Sequence, residues 1–344
     1  MSHIRRVVIE EIRGKRFKID GSLGRENNEV ELRRINVLTG CNGSFKTSIL
    51  EALTASLLTL TSPSYAKSLA YVAATLRMDE LWLYKLLRDG FKLMVDDITI
   101  KTISEPSTKA VIIAEDSYRK RSLSRLEVIR KTSTSWSSWY RYNRYNISIN
   151  VEKIDYSINY DFIALSMPNL LTQRFVNSFI KLISSKSNLY LFLLDKFGKV
   201  FEDFEIYFYR FEQDEFNRRS IIFAVKNDGG AMKIPIQYLG SGYLGLALMT
   251  LAASKDIVIY DNVESRMHPR LMYRAAELMS DAKNVQWIIT TQSSEMLEAI
   301  LNNVDLNELL VIETSTKGLL RVYDGDEANR RVKKLDEDLR GSCL

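Results

Sequence analysis

The sequence predicts an α/β fold, and three observations carry that expectation. The apolar run Ile35-Asn36-Val37-Leu38 leads through a glycine-bearing loop, residues 40–47, into Ser48-Ile49-Leu50-Glu51-Ala52-Leu53, a strand–loop–helix succession. A second run, Asp256-Ile257-Val258-Ile259-Tyr260, ends on Asp261 and precedes a helical pattern over 271–279. A third, 285–289, ends on Thr290-Thr291-Gln292-Ser293. Short unalternating apolar runs separated by helical stretches read as buried strands of a mainly parallel sheet.

The elements follow in order. Residues 4–10 and 16–19 alternate as two short strands, 21–28 is turn-rich, and 30–33 adds another strand. Beyond the glycine loop, Ile49, Leu50, Leu53, Leu57 and Leu58 recur at helical spacing until Ser62-Pro63-Ser64 breaks the pattern. The spacing predicts a helix over 65–91 and strands over 95–103, 110–114 and 145–151. Helices are predicted over 170–184 and 189–196, then a meander over 205–210 and 220–225 with a tight turn at Asn227-Asp228-Gly229-Gly230. A helix over 244–253 follows Gly240-Ser241-Gly242, and the tail reads as a hairpin, 309–313 with 319–323, then a charged helix. There is no internal repeat and no sustained heptad pattern, so no long coiled-coil arm is expected.

A chain of 344 residues with 46% hydrophobic and 26% charged residues can bury a large core. It holds no apolar run of membrane-spanning length, and its start does not read as a signal peptide. The cysteines, Cys41 and Cys343, are too few for a disulfide framework, so a reducing, cytoplasmic setting without membrane contact is expected. His3 and His268 are the only histidines, which excludes a His-rich metal site. Any hydrolysis must rest on carboxylates, lysine and an oxygen-held metal.

The net charge of +5 is concentrated: residues 116–145 alone sum to +6. There, Arg119, Lys120, Arg121, Arg130, Lys131, Arg141 and Arg144 accompany Trp136 and Trp139, a composition suited to holding phosphates and stacking bases. The competing reading is a twisted hairpin with inward aromatics and solvated arginines.

The loop 40–47 has the layout of a phosphate-binding P-loop, G-x-x-x-x-G-K-[ST], with Phe45 where the pattern asks for glycine. Gly40, Asn42, Gly43, Ser44, Phe45, Lys46, Thr47 and Ser48 are its candidate nucleotide-binding residues. Asp261, closing an apolar strand, reads as a Walker B carboxylate that holds Mg²⁺ together with Thr47. Gly240, Ser241 and Gly242, opening a helix, suit a second phosphate-binding helix N-terminus.

The order of these motifs resembles the ABC-type ATPase heads of the SMC, RecF and OLD-like group. Residues 35–53 resemble its Walker A segment, 239–243 its signature turn, 261–269 (Asp-Asn-Val-Glu-Ser-Arg-Met-His-Pro) its D-E-P-E-x-x-L-H-P stretch, and 290–293 its T-T-H-S. The segment between about 62 and 233 matches only in layout. The resemblance implies a P-loop NTPase of ABC-head architecture, with an N-terminal antiparallel β layer and an inserted α+β lobe. The corresponding units are 1–61, 62–233 and 234–344. It implies ATP and Mg²⁺ as cofactors and a homodimer in which the Gly240–Gly242 turn of one copy faces the nucleotide of the other. A role in DNA transactions or genome defence is likewise implied.

Three departures bear on catalysis. Asn262 stands where the group has the glutamate that polarises water, and Gln292 where it has a histidine. Phe45 replaces a glycine whose missing Cβ admits phosphate. Loss of a general base typically costs about 10²–10⁴ in rate. Glu264, two residues after Asn262, is the remaining acid that could assist water. These changes predict slow or impaired hydrolysis with nucleotide binding retained. The alternative is a pseudo-ATPase that serves as a scaffold or as the regulatory subunit of a separate nuclease or active ATPase. His268-Pro269 reads as a structural turn. Asp324-Gly325-Asp326 resembles the acid pair of a Toprim nuclease but reads as a plain turn.

Overall fold

The computed structural model describes residues 3–20, 28–62, 65–66, 82–104, 109–132, 145–153, 160–166, 189–213, 219–227 and 230–340. Two large sheets enclose one helix. The N-terminal sheet is antiparallel: β1 (Arg6–Ile12), β2 (Lys15–Arg16) and β4 (Glu29–Glu31) are extended by β6 (Phe91–Val95), β7 (Ile98–Ser104), β8 (Lys109–Asp116), β9 (Ser122–Thr132) and β10 (Tyr145–Lys153). The second sheet runs β11 (Phe162–Ser166), β15 (Ile257–Asp261), β16 (Gln286–Thr290), β5 (Ile35–Gly40), β17 (Leu309–Thr314), β18 (Leu319–Asp324), β3 (Lys18–Ile19). Its first five strands are parallel, and β18 turns back against β17. β5, β15, β16 and β17 are buried along their whole length, which accounts for their unalternating apolar sequences.

Helix α1 (Lys46–Thr59) lies between the sheets, touching β5, β15 and β16 on one side and β1, β6, β8 and β9 on the other. Every residue but Thr47 is buried. The helical spacing of its leucines was one apolar stripe, whereas the structure covers all faces. The hydroxyls on the covered faces are satisfied within the helix: Thr54, Ser56 and Thr59 donate to the carbonyls of Leu50, Ala52 and Ala55 at 2.7, 2.7 and 3.0 Å. The buried Glu51 pairs with Arg13 at 3.0 Å.

A third, antiparallel sheet of β12 (Ile206–Gln213), β13 (Arg219–Asn227) and β14 (Gly230–Pro235) packs on α3 (Leu189–Phe201), with Phe197, Phe201, Phe208 and Phe223 in ring contact. The strands 91–153 thus continue the N-terminal layer, while 189–235 form the separate α+β element. The remaining helices are α2 (Trp82–Asp89), α4 (Ser241–Ala252), α5 (Pro269–Asp281), α6 (Ser294–Asn303) and α7 (Gly325–Lys334).

Several sequence expectations shift. The helix expected over 65–91 ends at Asp89, because Phe91 begins β6 and pairs with Ile12. The strand expected over 95–103 is two strands joined by a tight turn. Asp96 adopts a left-handed conformation there, its Oδ1 accepts the Arg5 and Arg6 amides, and its Oδ2 accepts the Tyr160 hydroxyl. Strands β9 and β11 were not expected from the sequence. The helix expected over 170–184 lies outside the described residues.

One side chain ties the chain's start to the parallel sheet. Gln286, 1% exposed, accepts the Ile4 amide at 2.9 Å and donates to the carbonyls of Ile4 and Arg33 at 2.8 and 3.0 Å. Gln286→Leu keeps the volume and strands both polar groups of Ile4. A loss of about 2–4 kcal/mol is expected, read as a lower denaturant midpoint at unchanged slope.

Candidate functional site

The parallel strands converge their carboxyl ends on one edge. Register places Thr314 beside Gly40, Thr290 beside Leu38, and Tyr260 beside Ile289. Open α/β sheets bind ligands outside this edge. The loop 40–47 leaves it from β5, between β16 and β17.

The loop packs tightly on the strand edge. Gly40 has φ +136°, and a Cβ there would lie 2.3 Å from the Thr314 carbonyl oxygen and 2.7 Å from Ser44 Oγ. Ser44 Oγ in turn meets Thr314 Oγ1 at 2.8 Å, so the loop's floor is the end of β17. Phe45 caps α1 in the left-handed region, φ 67°, so it takes up the conformation for which glycine is suited. That costs about 1–3 kcal/mol for a bulky residue. Its ring turns away to meet Phe17 edge-on, centroids 5.7 Å apart. Packing of this kind offsets part of the strain. Asn42 and Gly43 are exposed at the tip, and Ser48 is buried in the first turn of α1.

Lys46 folds back over the loop. Its Nζ donates to Gly40 O at 2.5 Å, Cys41 O at 2.8 Å and Ser44 Oγ at 3.4 Å. Burial pushes its pKa down, while the charges of Asp261 and Glu264 oppose that shift. Asp261, 6% exposed, lies opposite: Thr47 Oγ1 is 3.0 Å from both its carboxylate oxygens, and Thr290 Oγ1 donates to Oδ1 at 2.7 Å. The Thr290 hydroxyl also accepts the Asn262 amide at 2.7 Å.

The donor set suits a hard, oxygen-preferring cation such as Mg²⁺. Among the described residues no three His, Cys, Asp or Glu side chains cluster as a metal cage. Mg²⁺ keeps most of its waters and takes one or two protein oxygens beside phosphate. Thr47 and Asp261 are such a pair. The N-terminus of α1 and the positive-φ backbone beside it present amides to an anion.

Behind Asp261 two of the three replaced positions, Asn262 and Gln292, meet each other, and Gln292 also meets Glu264. Asn262 is left-handed, φ 53°, a conformation that asparagine tolerates better than glutamate. Its Oδ1 accepts Gln292 Nε2 at 3.4 Å, and the Gln292 amide donates to Glu264 Oε1 at 2.8 Å. Gly242 packs its backbone on the same loop: a Cβ there would lie 2.9 Å from Arg266 O and 2.8 Å from Leu271 Cδ1. Gly240 and Ser241 are at the surface of the α4 N-terminus, with no side-chain cap. His268 caps α5, its Nδ1 accepting the Arg270 amide at 3.3 Å, and Asp324 caps α7 through the Glu327 amide.

The basic candidates sit elsewhere. Arg119, Lys120 and Arg121 form the exposed turn between β8 and β9, where Asp116 accepts the Arg119 amide. Arg130 and Lys131 lie on β9 opposite Ile147 and Asn146 of β10. Trp136, Trp139, Arg141 and Arg144 lie outside the described residues. Sequence reasoning missed Thr314 and Phe17 and did not single out Thr290. The signal for both threonines was a polar residue ending an apolar strand, whereas nothing local marks Phe17.

No protein-family model and no curated protein matches this sequence. Among solved structures, the chain is similar to an SMC head bound to the C-terminal winged-helix domain of ScpA, at 12% identity and TM-score 0.47, covering 94% of this chain and 98% of that one. It is similar to the SMC head domain of Thermotoga maritima at 11% identity and TM-score 0.40, covering 94% and 99%. It is also similar to the Pyrococcus furiosus Smc head with an extended coiled coil, at 10% identity and TM-score 0.45, covering 97% and 100%.

Gly40→Ala is expected to cost about 3 kcal/mol, because it combines a disallowed φ with backbone overlap. Phe45→Gly removes strain and a ring contact of similar size, so its unfolding midpoint should stay within about 1 kcal/mol of the parent. Chemical denaturation of both variants checks this contrast.

Proposed function

We propose that the chain is an ATP-binding head of ABC type whose nucleotide closes two copies into a clamp or switch, with slow or impaired hydrolysis. The observation that carries the reading is the convergence of Lys46, Thr47 and Asp261 on one strand edge, with Thr47 already hydrogen-bonded to Asp261. Lys46 exchanges its two loop carbonyls for phosphate oxygens. Thr47 and Asp261 supply the protein oxygens for Mg²⁺, which neutralises phosphate charge when bound. Phe45, turned toward Phe17, leaves the loop's inner face to its amides. The α4 N-terminus, exposed at Gly240, half-buried at Ser241 and buried at Gly242, completes the site from a second copy. Units 1–61, 62–233 and 234–344 are the division by motif, with strands 91–153 of the second continuing the sheet of the first, and the setting is a cytoplasmic one in DNA transactions or genome defence.

A second reading is favoured by the contact between Asn262 and Gln292: an amide pair replaces a carboxylate and an imidazole, and neither partner takes up a proton at neutral pH. On that reading the head is a scaffold, or a regulatory subunit to a separate nuclease or active ATPase that supplies the missing glutamate across a mixed dimer.

Titration calorimetry with MgATP should show binding that Lys46→Ala weakens at least about tenfold, the loss of a charge-assisted hydrogen bond. Light scattering should show ATP-dependent dimers. Binding without dimers supports the scaffold, and no binding up to millimolar ATP removes the nucleotide reading. The basic turn 119–121 and its strand are proposed to hold nucleic acid. Binding of labelled duplex and single strand should weaken steeply with salt, and salt-insensitive or absent binding would remove that part.

A further inference from the structure

Asp261 and Glu264 are the carboxylates on either side of Asn262 at the end of β15, and Gln292 touches both Asn262 and Glu264. They are held differently. Both Asp261 oxygens are engaged by the hydroxyls of Thr47 and Thr290. Glu264 Oε1 is fixed by the Gln292 amide, but its Oε2 is buried and accepts no hydrogen bond among the described residues. A buried carboxylate oxygen without a donor is costly to keep, and such groups concentrate where function needs them. The residue in the usual position, Asn262, instead offers a carboxamide tied to Gln292 and held at φ 53°.

We infer that Glu264 is the water-activating carboxylate of this site, taking the role that Asn262 cannot. The inference rests on the nucleotide-binding reading above. Glu264 Oε2 accepts a proton from water as the water oxygen bonds to the γ-phosphorus of ATP. The bond between that phosphorus and the β,γ-bridging oxygen breaks, its electron pair leaves with ADP, and the proton is then released with inorganic phosphate. Gln292 acts as a positioning residue: its backbone amide holds one oxygen of Glu264 and so aims the other.

The test uses the full chain and measures MgATP binding by calorimetry alongside phosphate release, for wild type, Glu264→Gln and Glu264→Asp, with thermal melting of each. The inference expects wild-type turnover, a fall of at least about tenfold in Glu264→Gln with ATP affinity kept within about threefold, and partial activity in Glu264→Asp. It also expects the acidic limb of the wild-type pH–rate profile to vanish in the glutamine variant. Wild-type binding without turnover, or turnover unchanged by Glu264→Gln, overturns the inference and leaves nucleotide binding standing. Loss of ATP binding or of the folded state in both variants makes Glu264 structural and also overturns it. Absence of wild-type ATP binding removes the nucleotide reading itself.

Discussion

The Asp261 carboxylate is the point on which the strand edge depends. It ends one strand, receives the hydroxyl of Thr290 from the next, and meets Thr47 at the start of α1, which issues from a third strand one place further on. Three stretches far apart in sequence are therefore locked to a single carboxylate that is almost wholly out of water. A buried charge is tolerated only when it is hydrogen-bonded or paired. Here hydroxyls supply the bonds and Lys46 the nearby opposite charge, so the strand edge and the start of α1 are rigidly joined.

That rigidity has a counterpart on the other side of α1. A helix buried on all faces has no solvent side on which to relax, so its position is set by both sheets at once. The first turn of α1 adjoins the loop 40–47, and its last turn touches the antiparallel layer, where the Thr59 carbonyl accepts the Ser124 hydroxyl at 2.7 Å. The N-terminal sheet and the loop are thereby joined through one packed element. The Gln286 contact with Ile4 makes the same connection at the far end of the parallel strands.

Much of this was legible in the sequence. The parallel core announced itself through unalternating apolar strands, and the loop, Lys46, Thr47 and Asp261 through residue type and spacing. What stayed hidden was long-range. β11 is a run of only five residues, too short for its periodicity to separate strand from helix, and it pairs with the edge that β15 offers. β9 carries charges along its length, and pairing with β8 and β10 overrides that polarity. The direction of the Phe45 ring depends on Phe17, twenty-eight residues earlier and on another element. Thr314 gains its place from register with Gly40, which no local pattern encodes.

The amide pair of Asn262 and Gln292 has a consequence for how this sequence can change. A glutamate at 262 meets a left-handed backbone and offers Gln292 a charged acceptor, while a histidine at 292 faces a carboxamide in place of a carboxylate. Each replacement is therefore read against the other, and their effects are epistatic.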